Sequence, residues 1–214
     1  MSEITIIIGN KTYSSWSLRG WLALKRCKVS FEEKLISLST SQSRANILRH
    51  SKAGLVPVLK HNGLTIWETM AICEYLAETF PDAQLWPQTS AARATCRAVA
   101  NEMHAGFTAL RTHMPMDIKS HFPGKGMGPG VQDDINRIVE IWQDCRDQFG
   151  SSDPFLFGSF TIADAMFAPV VSRFITYEVD LPILAQSYCD AVWNCPDMVD
   201  WRAGADQETW VIEQ

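Results

Sequence analysis

The sequence predicts an α/β unit with a mixed four-stranded sheet, followed by an all-helical unit. Three observations carry this. Strand-like and helix-like periodicities alternate from Ile4 to Thr79, the stretch Phe80 to Gln88 breaks the pattern with two prolines, and strand alternation is lost beyond it. A chain of 214 residues, 46% hydrophobic, can bury enough surface for two small domains. The expected division is 1–80, a linker over 81–88, and 89–214.

Ile4 to Ile8 is β-branched and apolar on both alternating faces except at Thr5, which suits a central strand covered on both sides. Gly9 and Asn10 end it. From Ser17 to Lys28, Leu18, Trp21, Leu22 and Lys25 fall at helical spacing, and Lys25, Arg26 and Lys28 complement the negative end of the dipole. Phe31 to Ile36 is the second strand, and a β-α-β unit normally makes a parallel pair. Thr40 to Lys52 reads as an irregular helical stretch.

Leu55 to Lys60 is strand-like but holds Pro57, which lacks a ladder donor and so belongs at an edge, bend or bulge. Asn62-Gly63 signals a tight hairpin to a partner strand, Leu64 to Trp67. Glu68-Thr69 then opens a periodic helix running to Thr79. In the second unit, helices are expected over Ala91 to Met114, Val131 to Phe149, Thr161 to Tyr177 and Leu184 to Trp193. The glycine-rich stretch Phe122 to Gly130 reads as a surface loop, since no strand precedes it and no phosphate-loop GK[ST] ends it.

Composition narrows the function classes. A net charge of −5 supplies no electrostatic footprint for nucleic acid. The six cysteines form no CxxC pair, so neither a dithiol redox motif nor a zinc site is indicated, and reduced, mostly buried thiols are expected. No window reaches the ~20 apolar residues of a membrane span, and the chain reads as cytoplasmic.

The chemistry concentrates where the first strand meets the first helix. Thr12-Tyr13-Ser14-Ser15-Trp16-Ser17-Leu18-Arg19 places small hydroxyls at a helix N-terminus, where free N–H groups and the positive dipole end favour a thiolate or carboxylate. Serines also cap helices in any protein. Glu68 and Thr69 lie at another helix start, an arrangement suited to a zwitterion: the carboxylate meets an ammonium while hydroxyl and amides meet a carboxylate. Thr161 and Asp164 make a T-x-x-D capping box, with no ligand role assigned. Met103, Phe107, Leu110 and Met114 form a stripe, with His104 and Arg111 beside it, that reads first as core and second as a cleft wall. Arg19 reads as a polar-side residue, an ion-pair partner.

The order of elements resembles the cytosolic glutathione transferases across essentially the whole chain. Ser14-Ser15-Trp16-Ser17-Leu18-Arg19 is similar to the serine motif of the zeta class, Leu55-Val56-Pro57 to the segment with that family's cis-proline, Glu68-Thr69-Met70-Ala71-Ile72 to the pair binding the γ-glutamyl end of glutathione, and Phe160 to Asp164 to the capping box before a central helix. The resemblance implies a thioredoxin-like N-terminal domain and a helical domain that supplies the electrophile cleft. It also implies glutathione as co-substrate with no metal, and a homodimer.

In this resemblance Ser14 is the first choice as donor to the glutathione sulfur, Ser15 the second and Tyr13 a third. A thiol of pKa ~8.5 is mostly protonated at neutral pH, and lowering that value by about two takes about 2.7 kcal/mol of anion stabilisation. Val56 and Pro57 would offer backbone groups to the cysteinyl part of the tripeptide, and Glu68 and Thr69 would hold its γ-glutamyl end. Trp16 stands where the zeta motif has cysteine, Trp21 replaces a second basic residue, and Leu55 replaces a polar one. Conjugation of a small hydrophobic electrophile is therefore the leading expectation. A maleylacetoacetate-type isomerase, a glutathione-dependent peroxidase and a non-catalytic binding module are the alternatives.

Overall fold

The structure, a computed structural model, describes residues 4–38 and 40–212. The N-terminal half runs β1 (Ile4–Ile8), α1 (Ser15–Arg26), β2 (Glu32–Leu35), α2 (Ser43–Leu48), β3 (Val58–His61), β4 (Leu64–Trp67) and α3 (Thr69–Thr79). The sheet order is β2-β1-β3-β4, with β1 parallel to β2 and antiparallel to β3, and β3 antiparallel to β4. This is the expected mixed sheet of a thioredoxin-like unit. Alternation along β1 explains its central place: Ile6 and Ile8 join the main core with α1 and α3, while Ile7 packs with Ile36, Ile47 and Val58 on the opposite face. The hairpin turns at Asn62 and Gly63, both at positive φ (50° and 78°), as Asn-Gly turns require.

Beyond a short 3₁₀ turn at Pro81–Ala83, all regular elements among the described residues are helices. They are α4 (Ser90–Ala105), α5 (Thr108–His113), α6 (Val131–Phe149), α7 (Ile162–Thr176), α8 (Ile183–Asn194) and α9 (Pro196–Asp206). Buried almost throughout, α7 packs against α1, α4 and α8. Asp164 anchors its start, accepting from the Thr161 N–H (2.7 Å) and hydroxyl (2.9 Å), the Leu156 N–H (3.1 Å) and the Tyr188 hydroxyl (3.1 Å). No helix of the described residues is long and apolar enough to cross a membrane.

Four elements differ from expectation. First, α1 begins at Ser15, because Ser14 is its N-cap. The third strand starts after Pro57, at Val58, and Leu55 is left 69% exposed. The single helix expected over Ala91 to Met114 is two: the Gly106 N–H closes on Glu102, Phe107 takes φ 57°, and the chain restarts as α5. Met103, Phe107, Leu110 and Met114 nonetheless stay buried together. The last helix, α9, has no counterpart among the expected elements. Pro196 at its first turn presets the backbone, and Met198, Trp201 and Ala205 form its buried face.

Candidate functional site

The turn after β1 delivers three hydroxyls to one place. The Ser14 N–H closes the turn on the Asn10 carbonyl (2.8 Å), and the Ser14 hydroxyl caps α1 by accepting from the Ser17 N–H (3.4 Å). The Ser14 and Ser17 hydroxyls are 2.8 Å apart, and the Ser17 oxygen also accepts the Gly9 N–H at 3.0 Å. Both serines are buried. Ser15, the first helical residue, is half-buried and its side chain makes no hydrogen bond among the described residues. The first turn of α1 holds no acidic side chain, so its positive dipole end is uncompensated from within the helix.

Two further predicted segments border α1. The Val56–Pro57 bond is cis. Pro57 lies against Gly20, where an added Cβ would meet the Pro57 ring at 3.0 Å, so glycine is what lets this loop close on the helix. No hydrogen bond among the described residues engages the Val56 N–H or C=O. Glu68 is the N-cap of α3 and accepts the Met70 N–H at 3.1 Å. Its φ of 77° is a conformation that costs a non-glycine residue of order 1–3 kcal/mol, and such strain gathers at ligand clamps. Thr69, buried, is the first residue of α3, which packs against α1.

A chain of contacts joins the two helix starts. Glu68 lies 3.5 Å from Nε2 of His104, and the His104 ring packs edgewise on Trp16 at 5.0 Å between centroids. Trp16 is the residue after Ser15. Its ring is also stacked by the guanidiniums of Arg19 (4.5 Å) and Arg111 (4.9 Å). Glu68 is thus joined to the start of α1 through His104 and Trp16, and Pro57 lies against Gly20 of the same helix.

Arg19 departs from its expected role. It is fully buried, donates to the carbonyls of Met166 (2.9 Å) and Ser15 (3.3 Å), and pairs with no carboxylate among the described residues. Its Nη2 has no partner among the described residues. Arg173, also buried, donates to the carbonyls of Met114 (2.8 Å) and Pro169 (2.9 Å). Burial, then repulsion from Arg173 and Arg111, pushes the Arg19 guanidinium well below its ordinary pKa. Burial and then Arg111 lower Arg173 to about 10. Three mutually repelling cations behind the start of α1 make this region favourable for an anion.

Sequence reasoning missed two residues here. Ser17 was visible in the motif but carried no signal beyond helical spacing. Glu208, far along the chain, accepts from the N–H groups of Lys11 and Thr12 and from the Thr12 hydroxyl (2.7 Å), fixing the C-terminal segment to the β1–α1 turn. Between that segment and the turn lies a cavity of about 840 Å³ to which Tyr13 contributes. Among the described residues no group of three or more histidine, cysteine or acidic side chains is placed to hold a metal ion.

Residues 13–79 match the family model of the glutathione S-transferase N-terminal domain, and residues 128–206 that of the glutathione S-transferase C-terminal domain. A probable maleylacetoacetate isomerase of Caenorhabditis elegans is 26% identical over 171 residues, 78% of this chain and 77% of that protein. The maleylacetoacetate isomerase of Rattus norvegicus is 28% identical over 172 residues, 78% of this chain and 76% of that protein. A crystal structure of a glutathione transferase homolog from Burkholderia GL BGR1 with bound glutathione superposes with a TM-score of 0.73 at 20% identity, covering 97% of this chain and 100% of that one. The fold, the sequence of motifs and both domain matches agree: this chain belongs to the glutathione S-transferase family.

Proposed function

We propose that the chain binds glutathione along α1, holds its sulfur as thiolate through Ser14, and transfers it to a small electrophile. The observation that carries this reading is the buried hydroxyl pair at the start of α1. In this structure the Ser14 hydroxyl donates to the Ser17 oxygen (2.8 Å), which also accepts the Gly9 amide (3.0 Å). In this reading the Ser14 hydroxyl rotates to donate to the sulfur when glutathione binds, and the Ser17 oxygen keeps the Gly9 amide as its donor. Ser15, with its hydroxyl free at the same helix start, is the second candidate donor. The Val56 backbone would pair with the cysteinyl part of the tripeptide, and Glu68 and Thr69 would receive its γ-glutamyl end. In this reading residues 1–80 bind glutathione, residues 89–214 complete the electrophile cleft, and the protein works as a cytoplasmic homodimer.

The test is direct. Ultraviolet absorbance of the thiolate, followed against pH on glutathione-saturated protein, should give a sulfur pKa about two below that of the free thiol, near 8.5. An unshifted titration sinks the reading, and sedimentation analysis decides the dimer.

The names of the two isomerase relatives favour a second reading, in which the same thiolate adds to a conjugated double bond, the bond rotates, and elimination returns glutathione. Trp16 in place of the zeta-class cysteine speaks against it. Turnover of maleylacetoacetate without consumption of glutathione would select it over conjugation.

A further inference from the structure

We infer that Lys11 is a positioning residue: through its side chain, α9 and β2 together fix the turn that carries Ser14. This rests on the glutathione reading for what Ser14 does, and on the contacts of Lys11 alone for what holds the turn. Two successive peptide groups meet at this residue, and both are pinned. The first presents the Asn10 carbonyl to the Ser14 N–H (2.8 Å) and the Lys11 N–H to Glu208 (2.5 Å); because a peptide group is planar, a tilt at one end moves the other. The second presents the Lys11 carbonyl to the Trp201 indole N–H of α9 (3.0 Å) and the Thr12 N–H to Glu208 (3.0 Å).

The side chain supplies the third anchor. Lys11 is 8% exposed, and its ammonium pairs with Glu33 of β2 at 3.0 Å. That ammonium lies over the rings of Trp21 (5.1 Å) and Trp201 (5.2 Å), which meet edge to face at 5.3 Å between centroids, and Glu33 is itself held by the Trp21 indole N–H (2.7 Å). Gly204 of α9 gives the stem its room: an added Cβ would meet Lys11 Cδ at 2.7 Å and Nζ at 2.8 Å. Lys25 also lies over Trp21 (5.1 Å) but is tied to Asp200 of α9, which leaves Glu33 to Lys11. A side chain that merely filled the space between two tryptophans would be apolar. A charge there is costly unless paired, and the pairing admits one direction, toward β2. The ion pair therefore sets an orientation, and the oriented residue holds the peptide group on which the Ser14 turn closes. None of these side-chain contacts involves a residue assigned to the tripeptide, so Lys11 acts through Ser14, a donor whose effect is largely lost when it is misplaced by about 1 Å.

Two readouts on the full chain test this: backbone amide exchange of the unliganded protein, and the ultraviolet thiolate titration with glutathione bound. Lys11→Met keeps the stem and drops the ammonium, while Glu33→Gln keeps an acceptor for Trp21 and drops the partner charge. Each should speed exchange at the Ser14 amide about tenfold. Each should also raise the sulfur pKa by about 0.5 to 1, which leaves about three- to tenfold less thiolate at neutral pH. Gly204→Ala, which crowds Lys11 from α9, should act in the same direction. Lys25→Met, which breaks the neighbouring lysine pair with α9, should change neither readout. If glutathione binds and either readout stays at its wild-type value in both Lys11→Met and Glu33→Gln, Lys11 serves the fold alone and the inference fails; an equal response to Lys25→Met sinks it as well. Should Lys11→Met not fold, Glu33→Gln, at an exposed edge of the sheet, decides by itself. If the wild-type protein binds no glutathione, the glutathione reading falls, and exchange at Ser14 still decides whether Lys11 holds the turn.

Discussion

The Ser14 and Ser17 hydroxyls sit 2.8 Å apart, and the Ser17 oxygen simultaneously accepts the Gly9 amide at 3.0 Å. One residue of this pair is assigned to the sulfur and the other steadies it. Ser14→Ala should return the bound thiol to nearly its free pKa and lower kcat/KM by about a hundredfold, as loss of an anion-stabilising donor does. Ser17→Ala should raise the thiol pKa by a smaller amount and leave KM for glutathione nearly unchanged. A fold-only role for Ser17 would lower stability without moving the titration, so the spectroscopic pKa separates the two.

Glu208 couples the end of the chain to the turn before Ser14. Glu208→Ala leaves the N–H groups of Lys11 and Thr12 and the Thr12 hydroxyl without an acceptor in a buried setting. Unmet donors formerly bonded to a charged group are expected to cost about 2–4 kcal/mol. Denaturant unfolding measures this. Glu208→Gln, which keeps one carbonyl acceptor, should recover about half of the loss.

All six cysteines are free, and burial pushes each thiol upward: Cys27, Cys96 and Cys145 to about 12, with Cys73, Cys189 and Cys195 also raised. The native protein should therefore resist iodoacetamide at pH 8, whereas the unfolded chain should take up six labels by mass spectrometry. The linkage has a definite sign. Between about 8.5 and about 12 the unfolded chain has lost thiol protons that the folded one retains, so stability falls as pH rises through that window. Thermal unfolding at pH 7.5 and pH 10 under reducing conditions should show the drop.

The architecture was legible in the sequence because its signals are local. An apolar strand between turn residues, an Asn-Gly hairpin and a T-x-x-D box each specify a backbone over a few residues, and β1, the β3–β4 hairpin and the start of α7 follow them. The split at Gly106 was not legible, because the stripe of Met103, Phe107, Leu110 and Met114 keeps helical spacing across a break set by one left-handed residue. At the site, Ser14, Pro57, Glu68 and Thr69 stood out through residue type at an element boundary. Arg19 misled for the opposite reason: its charge signals a surface, yet α7 covers it and supplies the Met166 carbonyl from a distant segment. Glu208 had no local signal, since its partners lie at the other end of the chain.

The four donors converging on Asp164 make it the most heavily bonded carboxylate of the helical half, and burial alone would raise its pKa while those donors oppose the rise. Its position fixes more than a helix end. Through Leu156 it holds the loop before α7, through Tyr188 it holds α8, and α7 in turn carries Met166 and Arg173 against α1 and α5. Asp164→Ala removes the acceptor for all four donors at a site with no exposure, and should destabilise the protein by about 3–5 kcal/mol. Thr161→Ala deletes only the hydroxyl arm of the box and should cost about 1 kcal/mol. Paired denaturation curves give both values. A loss for Asp164→Ala no larger than that for Thr161→Ala would mean that the loop and α8 hold their places without this carboxylate.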